Sequence, residues 1–170
     1  MTEGPEIAPR LPAMIVSLNE VRRALVRGTG ASLASTLALI ALSQRETGSG
    51  SAVINAISHW AFGDRDARRD EIDLKHTATG ALTQHAASVF WALVYERLFV
   101  SRRRSPGLPR LAAEAAAMSA IALAVDYTIT PKRFTPGYEL RMSRRSIVGA
   151  YVAFAAGLAL GSLLLPSRER

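Results

Sequence analysis

Three histidines, His59, His76 and His85, and one aspartate within an apolar stretch, Asp126, are the side chains on which chemistry would turn. Imidazoles hold a metal or a haem only when their nitrogens converge at about 2 Å from the metal. His76 and His85 are nine residues apart, and nine steps of about 100° place them on opposite faces of one helix. His59 lies on a separate segment, and no carboxylate–histidine spacing of a known ligand set accompanies it. No cofactor and no metal site is therefore expected. Cysteine is absent, which removes disulfides, thiolate ligands and a thiol nucleophile. Gly28-Thr29-Gly30 lacks the strand and third glycine of a dinucleotide loop, and Gly48-Ser49-Gly50-Ser51 lacks the lysine of a phosphate loop. No serine stands in a Gly-x-Ser-x-Gly elbow. With no catalytic constellation left, the expectation is a protein that is not an enzyme.

The residues around these groups say more about the solvent than about a reaction. The chain has 170 residues, 49% of them hydrophobic, and a formal charge of +7 from 21 basic and 14 acidic side chains. Those charges are gathered in short blocks, whereas a soluble amphipathic helix carries them every few residues. Four nearly charge-free stretches lie between the blocks, at about 28–43, 77–96, 111–129 and 146–165. A span needs about 20 apolar residues to cross about 30 Å of hydrocarbon. The fourth stretch meets this cleanly, the first is short, and Glu114 and Asp126 interrupt the third. The pattern predicts a single all-α domain over residues 1–170, an integral membrane four-helix bundle. Residues 14–27, with Ile15, Leu18, Val21 and Leu25 on one side, predict an amphipathic lead-in helix to the first span. A short interfacial helix over 52–62 is expected between spans one and two, with His59 and Trp60 at headgroup level. Two rival readings stand beside this one: a soluble bundle, and a signal segment cleaved near Ala41-Leu42-Ser43.

The basic residues flank the apolar stretches instead of lining one face, so anionic lipid headgroups fit them better than nucleic acid does. The short turn with Arg97, Arg102, Arg103, Arg104 and Arg110 is the most basic connection, and short loops weigh most in orientation. This predicts a multi-pass protein of the bacterial inner membrane with both termini in the cytoplasm.

Helix faces within the stretches supply the candidate contacts. Gly149, Ala153, Gly157 and Gly161 recur every four residues on the last span, a small-residue face that permits close backbone approach. It would pack on a helix of this chain or on another protein, either a second copy or a subunit of a larger membrane assembly. The second span carries a polar stripe of Thr77, Ala81, Gln84, His85, Ser88, Ala92 and Glu96, and the third carries Ala115, Ser119, Ala122 and Asp126. Ionisable groups in a span turn to the bundle interior, because exposing them to lipid costs several kcal/mol. The two stripes are thus expected to face each other. Connectivity puts the start of the second span and the end of the third on one side, which predicts a binding cluster of His85, Asp126, Gln84, His59, His76 and Arg133. The functional expectation is a non-enzymatic structural or accessory membrane protein; the alternative is a transporter or proton-handling protein built on that cluster.

Overall fold

The computed structural model describes residues 16–100 and 107–165. Among the described residues the chain is all helical, without a strand. Helix α1 runs over Leu18–Thr47, α2 over Ser51–Ile57, α3 over His59–Phe62, α4 over Leu74–Tyr95, α5 over Leu108–Thr128 and α6 over Arg144–Leu163. A π-helical turn, Glu96–Val100, extends α4, and two 3-10 turns, Lys132–Phe134 and Tyr138–Leu140, lie between α5 and α6.

Local sequence sets the helix ends. Ser17 and Glu20 form a capping box, with the Glu20 amide donating to Ser17 Oγ at 3.2 Å and the Ser17 amide donating to the Glu20 carboxylate at 2.9 Å. The helix stops at Gly48, whose φ of 79° is left-handed backbone that a glycine adopts without strain. Asp73 caps α4 by accepting from the Lys75 amide at 2.9 Å, and Ser143 caps α6. From Leu18 onward the amphipathic stretch and the first apolar stretch are one continuous helix, α1, with no break between them, and Ile15 lies outside the described residues. Between α1 and α4 the outcome differs from expectation: two short helices, α2 and α3, replace the single surface helix. Ala52 to Ile57 are all buried, because α2 is wedged against α4. At Gly80 a side chain would collide with the Ile54 carbonyl, so the two backbones touch. The connection after α3 is likewise fastened down. The Asn55 amide donates to Arg69 O at 2.9 Å and to Glu71 O at 2.8 Å, and Thr77 donates to Asn55 Oδ1 at 2.6 Å.

Helix α1 occupies the centre, with α6 along one side and α4 along another; α5 packs on α6 and scarcely touches α4. The polar stripes of α4 and α5 therefore face each other with little direct contact, Gln84 and Ser88 standing across a gap from Ala122 and Asp126. The seam between α1 and α6 explains why. A Cβ at Gly157 would meet Gly30 O and would lie 2.7 Å from Ala31 Cα, and one at Gly161 would lie 2.9 Å from Arg27 Cα. Gly149 faces Leu42, and Ala153 is half-buried. Of the two partners open to the small-residue face, Gly157 and Gly161 have taken the one within the chain. At the end of the bundle where α1 begins, Glu96 is fully buried. It pairs with Arg27 and lies 3.2 Å from Arg23 Nε, while Arg27 Nε donates to Ser162 Oγ at 2.8 Å.

Three helices, α1, α5 and α6, are long and apolar enough to cross a membrane. Helix α4 is of similar length, but Thr83, Gln84, His85 and Ser88 make it less apolar. Large apolar side chains point outward, among them Leu37 at 67%, Leu82 at 70% and Val152 at 65% exposure, while Ser35, Asn55, Gln84 and Glu96 are buried. Gly157→Leu should force α1 and α6 apart and lower the thermal unfolding midpoint in detergent by roughly 5 °C or more. Gly149→Ala, which meets only the end of the Leu42 side chain, should leave the midpoint almost unchanged; equal midpoints for both variants would mean that the seam is not tight.

Candidate functional site

The space left between α4, α5 and α6 is a cavity of about 340 Å³. Ser35 of α1 closes it at the back, and α3 with residues 134–138 roofs it. Trp60, Ala87 and Phe134 are the exposed members of its lining, so its mouth lies where α3, α4 and the connection after α5 meet. Such a volume falls in the range of small-molecule sites, and its walls are mainly apolar with a few convergent polar groups.

Two polar arrangements reach it. In the first, Tyr138 donates to Gln84 Oε1 at 2.5 Å, and Gln84 Nε2 donates to Ser35 Oγ at 3.0 Å. This chain ties the roof to α4 and α1. Burial pushes the Tyr138 phenol well above the ordinary tyrosine range, so it acts there as a neutral donor. In the second, Tyr151 of α6 donates to Asp126 Oδ2 at 2.6 Å, with the Trp91 side chain beside the same carboxylate. Asp126 stands two residues before the end of α5, at the roofed end of the molecule.

The expected cluster is thus assembled in part. Gln84 and Asp126 both line the cavity. His59 and Arg133 hold its roof: the His59 ring nitrogens lie 2.9 Å from Asp64 Oδ1 and 2.9 Å from Thr135 O, and Arg133 Nε donates to Trp60 O at 3.3 Å. His76 lies elsewhere, buried in the first turn of α4 against the first connection, with Nε2 2.9 Å from Asp66 Oδ2 and Nδ1 against Asp73. Phe62 packs edge-on against its ring at 4.8 Å. His85 is the correction. It follows Gln84 by one residue, a rotation of about 100°, and this takes it off the cavity face onto the half-exposed flank of α4. Its depth along the helix is as expected, but its direction is not.

Sequence reasoning missed Trp60, Trp91, Tyr138 and Tyr151. Each is an aromatic residue with a polar tip in or beside an apolar stretch, which is the available signal, since a buried Tyr or Trp seeks a hydrogen-bond partner. Among the described residues no group of three His, Cys, Asp or Glu side chains could hold a metal ion. No family model matches the chain, and neither a curated protein nor a solved structure resembles it.

The connection that packs against His76 has an electrostatic lock of its own. Hydrogen bonds from Arg69 and then His76 hold the Asp66 carboxyl down at about 2. Because this value lies below that of an unfolded aspartate, about 3.9, the lock is complete above that pH and is lost as the pH falls towards 2. Amide protection over residues 64–73, measured by hydrogen exchange, should hold from pH 7 to about pH 4 and decline below. Asp66→Asn should lower protection already at pH 7; unchanged protection in that variant would show that Asp66 fastens nothing.

Proposed function

We propose that this chain is a four-span protein of the bacterial inner membrane that binds a small amphipathic molecule within its helix bundle and does no chemistry on it. The cavity carries this reading. It sits inside helices whose outer faces are apolar, and it joins one carboxylate to a ring-lined wall. Four spans are supported by α1, α5 and α6 being long enough and by α4 lying along α1. Lipid then solvates the outward Leu and Val side chains, and anionic headgroups meet the basic ends. Four crossings place both termini on one side, taken as the cytoplasm from the arginine-rich turn between α4 and α5. The roofed end of the cavity accordingly faces the periplasm.

A purely accessory role, with the small-residue face reserved for a partner subunit, has less support. Gly157 and Gly161 are already engaged with α1. The alternative of transport or proton handling keeps Asp126 and Gln84 as its residues and loses His85.

Reporter fusions at Ser49 and Ser105 should report opposite compartments; the same compartment for both would refute four spans. The cavity can be read directly, because both tryptophans of the chain, Trp60 and Trp91, line it. A brominated benzyl alcohol should quench their fluorescence saturably in lipid nanodiscs. Ala87→Phe, which narrows the mouth at an exposed position, should weaken that quenching severalfold. Linear quenching that is equal in both proteins would mean that the probe only dissolves in lipid, and that the cavity is not a site.

A further inference from the structure

We infer that the ligand is a small hydrophobic amine, held as its ammonium ion with Asp126 as counter-ion. The inference rests on the reading of the cavity as a binding site and adds the class of its ligand. Two properties of the lining carry it, one of charge and one of hydrogen-bonding direction.

Asp126 is the single charged residue in the described lining, and no lysine, arginine or histidine joins it there. The nearest basic side chain of the roof, Arg133, is exposed and donates to Trp60 O instead. On the outer side of the roof Tyr127 donates to Glu139 at 3.1 Å, and Lys132 and Arg133 stand exposed beside Phe134, so the rim carries both signs. Inside, Asp126 alone sets the sign, which repels an anionic ligand and attracts a cation.

Hydrogen-bonding direction makes the same choice. The hydroxyls of Ser35, Thr83 and Ser88 donate to the carbonyls of Ala31, Thr79 and Gln84, each at 2.8 Å. Thr135 donates to Lys132 O at 2.9 Å, and Tyr138 and Tyr151 donate to Gln84 and Asp126. The Trp60 indole donates to Thr83 Oγ1 at 3.2 Å. All six hydroxyl protons thus already have protein acceptors. What remains free is lone-pair capacity, since a carboxylate offers about four acceptor sites and Tyr151 and the Trp91 side chain take two. A carbonyl, phosphate or carboxylate would find few donors, whereas an ammonium brings three of its own. The rings of Trp60, Trp91 and Phe134 in the lining supply the aromatic surroundings that a hydrophobic cation prefers. The ammonium of a phospholipid would carry its phosphate to within a few bonds of Asp126, where the two anions repel. A free amine lacks that cost, and a volume of about 340 Å³ accommodates one of bicyclic-aromatic size.

Three probes of one shape test this: 2-naphthylmethylamine, 2-naphthylmethanol and 2-naphthoate. Each is dialysed against the full chain in phosphatidylcholine nanodiscs at pH 7, with empty nanodiscs subtracted. The amine should saturate at one per chain and bind at least tenfold more tightly than the alcohol, with no binding of the naphthoate. Asp126→Asn should weaken the amine to the level of the alcohol and leave the alcohol unchanged. Equal binding of amine and alcohol would overturn the cationic ligand while leaving the cavity as a binding site. Binding of none of the three would overturn both readings. If Asp126→Asn fails to fold, the order of the three probes on the unaltered protein decides. Displacement of the amine by added phosphatidylethanolamine would overturn the free amine in favour of the lipid headgroup.

Discussion

Close approach of two backbones, α1 against α6, determines where every other helix can go. Gly30, Gly157 and Gly161 leave no side chain between them, so the axes are drawn together over the middle of the bundle. Helix α4 meets α1 on another side by the same means, with a Cβ at Gly28 only 2.6 Å from Val89 Cα. In the proposed bilayer such seams matter more than in water, since lipid supplies no hydrophobic force between helices and contact itself must hold them. Helix α5 has no glycine to offer α4. Where those two would meet stand Trp91, Tyr138 and Tyr151, and bulky side chains that meet tip to tip leave space. The cavity is thus the complement of the glycine pattern.

The two ends of the bundle are fixed by different chemistry. At one end Glu96, without solvent exposure, sits between Arg27 and Arg23, and the pair joins α1 to α4 while Ser162 brings in α6. Burying such charges costs several kcal/mol each, and paired hydrogen bonds offset it only when the geometry is held. The roofed end uses neutral groups, Tyr138, Gln84 and Asn55, around the single carboxylate of the cavity, Asp126, with Asp64, Asp66 and Arg133 at the rim. An ion-paired end and an end with one carboxylate in a cavity divide the labour of holding and of binding.

Much of this was legible from the residues. Charge segregation located the long helices to within a few residues: the expected 77–96, 111–129 and 146–165 lie over Leu74–Tyr95, Leu108–Thr128 and Arg144–Leu163. Connectivity puts His85 and Asp126 on one side, whereas the cavity lining joins Asp126 to Gln84. It fixes depth only, and depth does not say which way a helix face turns. The polar stripe of α4 was read with its centre between Gln84 and His85. Gln84, Ser88, Ala92 and Glu96 are buried whereas Ala81 is exposed, so the true centre lies one residue earlier in rotation. That small turn moves His85 off the site. The surface reading of residues 52–62 failed for a related reason. An apolar run too short to span looks the same whether lipid or another helix covers it, and only Gly80, by admitting Ile54, decides for the helix.

The acceptor character of the cavity follows from the kind of polar residue that helices tolerate without water. A serine or threonine in a helix satisfies its proton on the carbonyl four residues back, as Ser35, Thr83, Ser88, Thr128 and Ser162 all do. Its oxygen can then only accept, as Ser35 does from Gln84, Thr83 from Trp60 and Ser162 from Arg27. A pocket walled by such residues offers acceptors whatever its shape, and it is the ligand that must bring the donors. One acid in that wall adds a sign to the preference without altering its direction. Asp126 therefore completes a chemistry that the hydroxyls around it had already begun.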